Sequence, residues 1–420
     1  MTAAAAPALV ARPGLGAWAL FSATIAAAGL PIYIHAPKFY VDEYGVGLAA
    51  LGIALFVLRL VDVVQDPLMG WLVETARQAR GVLVAGAIFL MAAAMIGLFA
   101  VTPPIAALWW FALTLAALFS SFSFLTIAFY AEGVRKAAGL GPKGHVRLAG
   151  WREGGALLGV SMAAVAPVAL GAWMAAPFTG FALGFGVLCL AAGWAMRHEW
   201  GQAGGQVQRH AEVAFRDVLA DGLSRRLLLL ALVNATPVAV TSTLFLFFVE
   251  SRLAAPGSEG PLLLLFFLAA AASTPLWARA AHRFGEKPAL LAGMVLAVVS
   301  FAFAATLGAG DVMAFALICA ASGAALGADM TLLPAIFARR LAAISPGAGA
   351  GFGLWSFVSK FTLAFAAVAL LPLLQAQGFV PGGANPAKAL ALLTILYALV
   401  PCALKLVAIG LLVVTPVSEV

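Results

Sequence analysis

Charge is what this sequence has least of. Only 10% of its 420 residues are Asp, Glu, Lys or Arg, while 64% are hydrophobic and the mean hydropathy is +1.05. A soluble domain covers its surface with about 25% charged residues, so a soluble globular fold is excluded and lipid is the expected solvent. Cysteine is also scarce. Cys189, Cys319 and Cys402 each sit in an apolar run, without metal-ligand spacing or a paired framework, and read as small core residues. No Walker A, HExxH or GxSxG pattern occurs, so nothing points to ATP-driven transport or hydrolysis. No nucleophile–base set or metal cluster appears at any depth, so neither an enzyme nor a cofactor is expected.

Long apolar runs take the place of these features. A spanning helix needs about 20 apolar residues, and runs of that kind lie near 14–36, 47–73, 82–101, 105–130, 149–171 and 176–196. After a polar stretch, six more lie near 227–250, 261–281, 288–308, 311–337, 349–375 and 389–415. The N-terminal stretch, with Arg12 before an Ala-rich run, has a faint signal-peptide character. The spans that follow favour a retained first helix. The expected fold class is therefore an all-α integral membrane protein of twelve transmembrane helices in two six-helix bundles, residues 1–196 and 227–420, joined by a cytoplasmic linker at 197–226.

The net charge of +7 and pI near 9.6 do not call for nucleic acid. Seventeen of the 24 basic residues, among them Arg77, Arg80, Arg135, Lys136, Arg225, Arg226, Arg339 and Arg340, fall in the termini and loops of one side. The opposite loops hold Lys38, Arg252 and Lys388. The positive-inside rule then puts both termini and the linker in the cytoplasm, for a multi-pass protein of the cell's inner (plasma) membrane. The expected partners are a small-molecule solute, a coupling cation and the bilayer, with the chain acting as a monomer.

A weak internal repeat fits two halves: Asp66-Pro67-Leu68-Met69 in span 2 parallels Thr274-Pro275-Leu276-Trp277 in span 8. Such halves around a central path are the usual build of alternating-access carriers.

Charges inside spans are the informative residues, because each costs about 2.5–3.5 kcal/mol at a helix centre. Asp62 and Asp66 are i,i+4 on one face of span 2, with Arg59 one turn earlier. Pro67 lacks an N–H, which frees the carbonyl of Val63. An all-oxygen site of this kind suits Na⁺ or a proton better than a soft metal. Lys360 falls at matching depth in span 11, so it is expected to face the two carboxylates across the halves and to exchange with a bound cation. The plainer reading is a fixed ion-pair network holding the halves together.

Weaker candidates for solute binding follow. Trp151-Arg152-Glu153 opens span 5, and an indole platform beside a guanidinium can hold a polar solute, or merely anchor the helix end. Asp329 in span 10 is a second titrating group or an arginine partner. Asn234, Thr236, Thr241, Ser242 and Thr243 in span 7 line a path or bond their own backbone. His35 reads as interfacial, and Lys405 is expected to snorkel to the cytoplasmic face.

The run RLVDVVQDPLMGW (59–71) resembles the span-2 signature of the glycoside–pentoside–hexuronide:cation symporters, the melibiose-permease-like branch of the major facilitator superfamily. Supporting stretches are LPIYIHAPKFYVDEYG (30–45), RLAGWREGGALLG (147–159), LGADMTLLP (326–334) and the segment around Lys360. The resemblance implies that Asp62 and Asp66 bind the coupling Na⁺, Li⁺ or H⁺, that Lys360 faces them, and that Arg152 contributes to solute binding. Sugar-carrying members place acidic residues where this chain has Ala26 and Ser123. The resemblance therefore implies the cation site more strongly than a sugar site.

The leading expectation is Na⁺- or H⁺-driven symport of a small organic solute by alternating access. A carrier or exporter of a lysolipid-like or other amphipathic solute on the same fold is the second reading. A non-transporting membrane sensor or scaffold is the alternative of another class.

Overall fold

The computed structural model describes residues 14–141, 143–200, 215–344, 349–380, 383 and 385–417, and these residues contain helices and no strand. In chain order the helices are α1 (Leu15–Ala27), α2 (Leu30–Tyr44), α3 (Leu48–Thr75), α4 (Arg80–Phe99), α5 (Ala107–Ala138), α6 (Gly144–Leu170) and α7 (Pro177–Met196). They continue as α8 (Phe215–Ala220), α9 (Gly222–Phe247), α10 (Glu259–Phe284), α11 (Glu286–Ala302), α12 (Val312–Ile344), α13 (Gly349–Ala376), α14 (Ala387–Thr394) and α15 (Val400–Val414). Among the described residues, eight segments are long and apolar enough to cross a membrane by length and composition. Most of the expected linker, residues 201–214, lies outside the described residues, as do Arg12 and Arg209.

The helices follow the apolar runs with four differences. The first run is broken into α1 and α2 at Gly29, whose ψ of −120° no helix uses; a Cβ there would sit 3.2 Å from the Ala26 carbonyl oxygen. The seventh begins earlier than 227, because Asp221 caps α9 by accepting from the Ser224 N–H at 2.8 Å. Its C-terminal turn, Phe248–Arg252, is a π-helix. The last run is divided by a second π turn, Ile395–Leu399, before Pro401 of α15, where the missing N–H of proline removes an α-helical bond. The rings of Phe248 and Tyr397 from these two turns stack at 4.2 Å.

The first seven helices meet the later ones chiefly along two seams. One joins α3 to α13, and the other joins α6 to α10 and α12. Both seams are built on glycine. A Cβ on Gly70 of α3 would lie 2.8 Å from the Gly349 carbonyl oxygen, and one on Gly353 would lie 3.1 Å from the Asp66 carbonyl oxygen. In the other seam a Cβ on Gly154 would lie 3.0 Å from Thr274 Oγ1. The Asp66-Pro67 and Thr274-Pro275 segments thus occupy corresponding places, each against a glycine of the opposite half. At the end of the bundle where α7 stops and α9 starts, hereafter the linker end, backbones touch. At the far end, α2, α14 and the π turns make their main contacts within their own half.

Gly70→Val cannot keep the α3–α13 seam closed, since its Cβ alone would overlap backbone. The expected outcome is normal expression with transport slowed by about tenfold or more, roughly 1.4 kcal/mol in the barrier, measured as initial uptake in vesicles.

At the linker end Arg340 of α12 donates from Nε to Asp221 Oδ2 at 3.0 Å, and its Nη2 donates to Oδ1. This hydrogen bonding, with that from Ser224, holds the Asp221 carboxyl well below the usual carboxylate range. A depressed folded value means the contribution is complete at neutral pH and is lost only as pH falls into strong acid.

Candidate functional site

The site begins with the spacing of α3. Asp62 and Asp66 stand one turn apart, and the helix continues unbroken through Pro67. Both carboxylates are buried, Asp62 at 3% exposure and Asp66 at 0%. Opposite them, Lys360 projects from the middle of α13 and donates to Asp62 Oδ1 at 2.7 Å and to Asp66 Oδ1 at 3.0 Å. Its third N–H goes to Ser123 Oγ of α5 at 2.6 Å. An ammonium has three donors, so Lys360 is fully used.

The remaining groups complete the network. Ser123 Oγ in turn donates a hydrogen bond to Asp62 Oδ1 at 2.9 Å. Gln65 Nε2 donates to the same oxygen at 3.0 Å, and Ser120 Oγ donates to Gln65 Oε1 at 2.9 Å. Ser356, one turn before Lys360 on α13, donates to Asp66 Oδ2 at 2.6 Å. Three helices from both sides of the α3–α13 seam therefore converge on two carboxylates. With all three ionised, the two Asp and one Lys sum to −1. In a low-dielectric interior the second carboxylate must be balanced by a further cation, a proton, hydrogen bonds or a neighbouring cation such as Arg59.

Sequence reasoning placed Asp62, Asp66 and Lys360 together, and the geometry brings them into direct contact. Arg59 is half-buried one turn before Asp62. Ser123, at a position where sugar-carrying members place an acidic residue and a candidate for solute binding, lies inside this network. Gln65, Ser120 and Ser356 were missed, although each has a sequence signal: i+3 from Asp62, i−3 from Ser123 and i−4 from Lys360.

The Arg152 group differs from expectation. Arg152 and Glu153 are buried at 3% and 1% exposure and pair at 2.8 Å. The aromatic platform is Tyr130 of α5, not Trp151. The Arg152 guanidinium lies 3.6 Å from the Tyr130 ring centroid, and Tyr130 OH donates to Glu153 Oε1 at 2.6 Å. Trp151 is half exposed and points elsewhere, since adjacent helical residues are about 100° apart. Arg152 Nη2 is buried without a hydrogen-bond partner.

Lys405 corrects a second expectation. It does not snorkel. It is 4% exposed in α15 and donates to Asn234 Oδ1 of α9 at 2.7 Å and to Asp329 Oδ2 of α12. Asp329 is thus the partner of a lysine rather than an arginine, and its Oδ1 faces no hydrogen-bond donor. This cluster edges a cavity of about 50 Å³ within the later helices, lined also by Thr241 and Ser322. The hydroxyls of Thr236, Thr241 and Thr243 all bond carbonyls of their own helix. His35 Nε2 is 2.9 Å from the Ala164 carbonyl oxygen, tying α2 to α6. Ala26 is half-buried on α1.

A buried, charged network thus lies between two packed sets of apolar helices. Residues 16–419 match the family model described as MFS/sugar transport protein, and the chain belongs to that family. It is a multi-pass membrane transporter of the major facilitator superfamily, working by alternating access, and not an enzyme. The search among curated proteins found no match. Among solved structures the chain is similar to a bacterial homologue of the iron transporter ferroportin in its outward-facing state: 15% identity, 97% of this chain and 100% of that one, TM-score 0.71. A structure of such a homologue with soaked iron aligns at 14% identity over 95% and 98% of the two chains, with TM-score 0.68. At these identities the likeness concerns the fold.

Proposed function

We propose that the protein is a Na⁺- or H⁺-coupled symporter of a small organic solute, of the melibiose-permease-like branch, and that it acts as a monomer in the inner membrane with both termini cytoplasmic. The observation that carries this reading is Lys360 spanning the seam to both Asp62 and Asp66, one ammonium shared by two buried carboxylates. Asp62 and Asp66 bind the coupling cation, and Lys360 is their counter-ion when the cation is absent. A cation entering between the carboxylates weakens both Lys360 bonds, and these are bonds between halves 1–196 and 227–420. Ion occupancy thereby biases the angle between the halves, as alternating access requires.

With the linker end cytoplasmic, the glycine seams bring the two halves together on the inner side. The solute is recognised between the halves by Arg152, whose unpartnered Nη2 supplies a donor toward a polar or anionic group. Ser123 serves the cation network rather than the solute, which leaves fewer acidic acceptors for sugar hydroxyls.

Thermal stability of the purified wild type should rise with Na⁺, or change with pH if the ion is a proton. In Lys360→Ala that response should shrink severalfold, because the exchange partner is gone. An identical response in both proteins counts against the assignment. The same melting assay, run against sugars, organic acids, nucleosides and lysolipids with and without the ion, identifies the solute class.

A further inference from the structure

We propose that the groove between α4 and α7 at the linker end binds one anionic phospholipid of the adjoining leaflet, its acyl chain along the groove and its phosphate on Arg197. The groove has a volume of about 460 Å³ and opens on the outer surface of the helices, away from the α3–α13 seam. One wall carries Gly81, Ala85 and Ala92 of α4, and the other carries Leu190 and Trp194 of α7. Gly81, Ala85 and Ala92 leave the hollow on the first wall, where Phe89 also projects at 74% exposure, and Leu190 and Trp194, at 72% and 68%, project from the other, so both sides are apolar.

Length identifies the occupant as a single leaflet's chain. Gly81 and Ala92 are eleven residues apart on one helix, about 16 Å at 1.5 Å per residue. The hydrocarbon core of a bilayer is about 30 Å thick, so the groove runs from one interface to about the midplane. An apolar channel of that length beside a membrane helix matches one acyl chain and neither a peptide nor a bilayer-spanning partner.

Charge identifies the head group. Arg197 closes the linker end of the groove, with its guanidinium 4.1 Å from the Trp194 ring centroid and Nη1 donating to the Trp194 carbonyl at 2.8 Å. Stacking fixes the plane of the guanidinium, and one of its five N–H groups is used, so a fork remains for the two oxygens of a phosphate. Gly81 lies in the first turn of α4, where backbone N–H groups lack an intrahelical acceptor. Without a Cβ it lets a phosphate approach the backbone at the same end. An indole at interface depth beside an arginine suits a lipid head group.

The experiment uses full-length protein in detergent, with wild type, Arg197→Gln and Ala85→Trp. Both positions are exposed, so neither change disturbs the core. Each protein is titrated with phosphatidylglycerol or phosphatidylcholine, and melting temperature and lipid adducts by native mass spectrometry are read. Wild type should gain about 3 °C or more with phosphatidylglycerol relative to phosphatidylcholine and retain one tightly held phosphatidylglycerol. Arg197→Gln should lose the difference between lipids, and Ala85→Trp should lose the retained adduct. Equal effects of the two lipids on wild type, or an unchanged preference in Arg197→Gln, overturn the proposal. Glycerol 3-phosphate reproducing the whole shift would show an anion site without a chain groove, and would overturn it as well.

Discussion

Asp66→Asn should abolish gradient-driven accumulation, a fall of about 100-fold or roughly 2.7 kcal/mol, while leaving the protein expressed and folded. Asparagine keeps the shape of the side chain and an oxygen to accept from Lys360 at the 3.0 Å contact, and it removes one charge. The Asp62–Lys360 pair is then neutral, and an added cation would leave the buried network at +1. The driving ion loses its site although the seam remains bonded. Insertion should not suffer, because a neutral residue costs less than a carboxylate at a helix centre. The measurement is concentrative uptake of the identified solute in vesicles, with exchange at zero gradient as the control. Undiminished concentrative uptake would sink the assignment; lost uptake with retained exchange separates coupling from solute binding.

The largest stability effect is expected at the other buried lysine. Lys405→Met fills similar space but strands Asp329, which is already without a donor to Oδ1 and would lose the bond to Oδ2 too. Removing one partner of a buried pair costs about 3–5 kcal/mol. Melting of Lys405→Met in detergent should therefore be lowered strongly, with reduced folded yield. Lys405→Met combined with Asp329→Asn should recover most of the loss, because no uncompensated charge remains. A single variant as stable as wild type, or a double variant no better than the single, would mean that the pair contributes nothing of this kind.

How much of this was legible beforehand depended on whether the signal was local. Asp62, Asp66 and Pro67 lie within one helical turn and a half, so their shared face follows from helix geometry alone. Lys360 was found by depth, since both helices run through the membrane and matching depths restrict what can meet. Lys405 defeated the same argument. Its distance from a helix end permitted snorkelling, and only the packing of α9, α12 and α15 shows two acceptors waiting for it at mid-depth. Trp151 and Tyr130 differ for a similar reason. The neighbour in sequence faces another way, while the ring that covers Arg152 comes from a different helix.

The sequence by itself determined that this chain lives in lipid, that its helices are many and long, and that two carboxylates share one face of α3. Composition and the helical repeat are local properties and need no knowledge of neighbours. Tertiary structure alone decided that Ser123 and Ser356 join those carboxylates, that glycines close the seams beside them, and that a groove flanked by Arg197 lies on the outer surface. Those features are distances between residues far apart in the chain, and only the packing of one helix on another sets such distances.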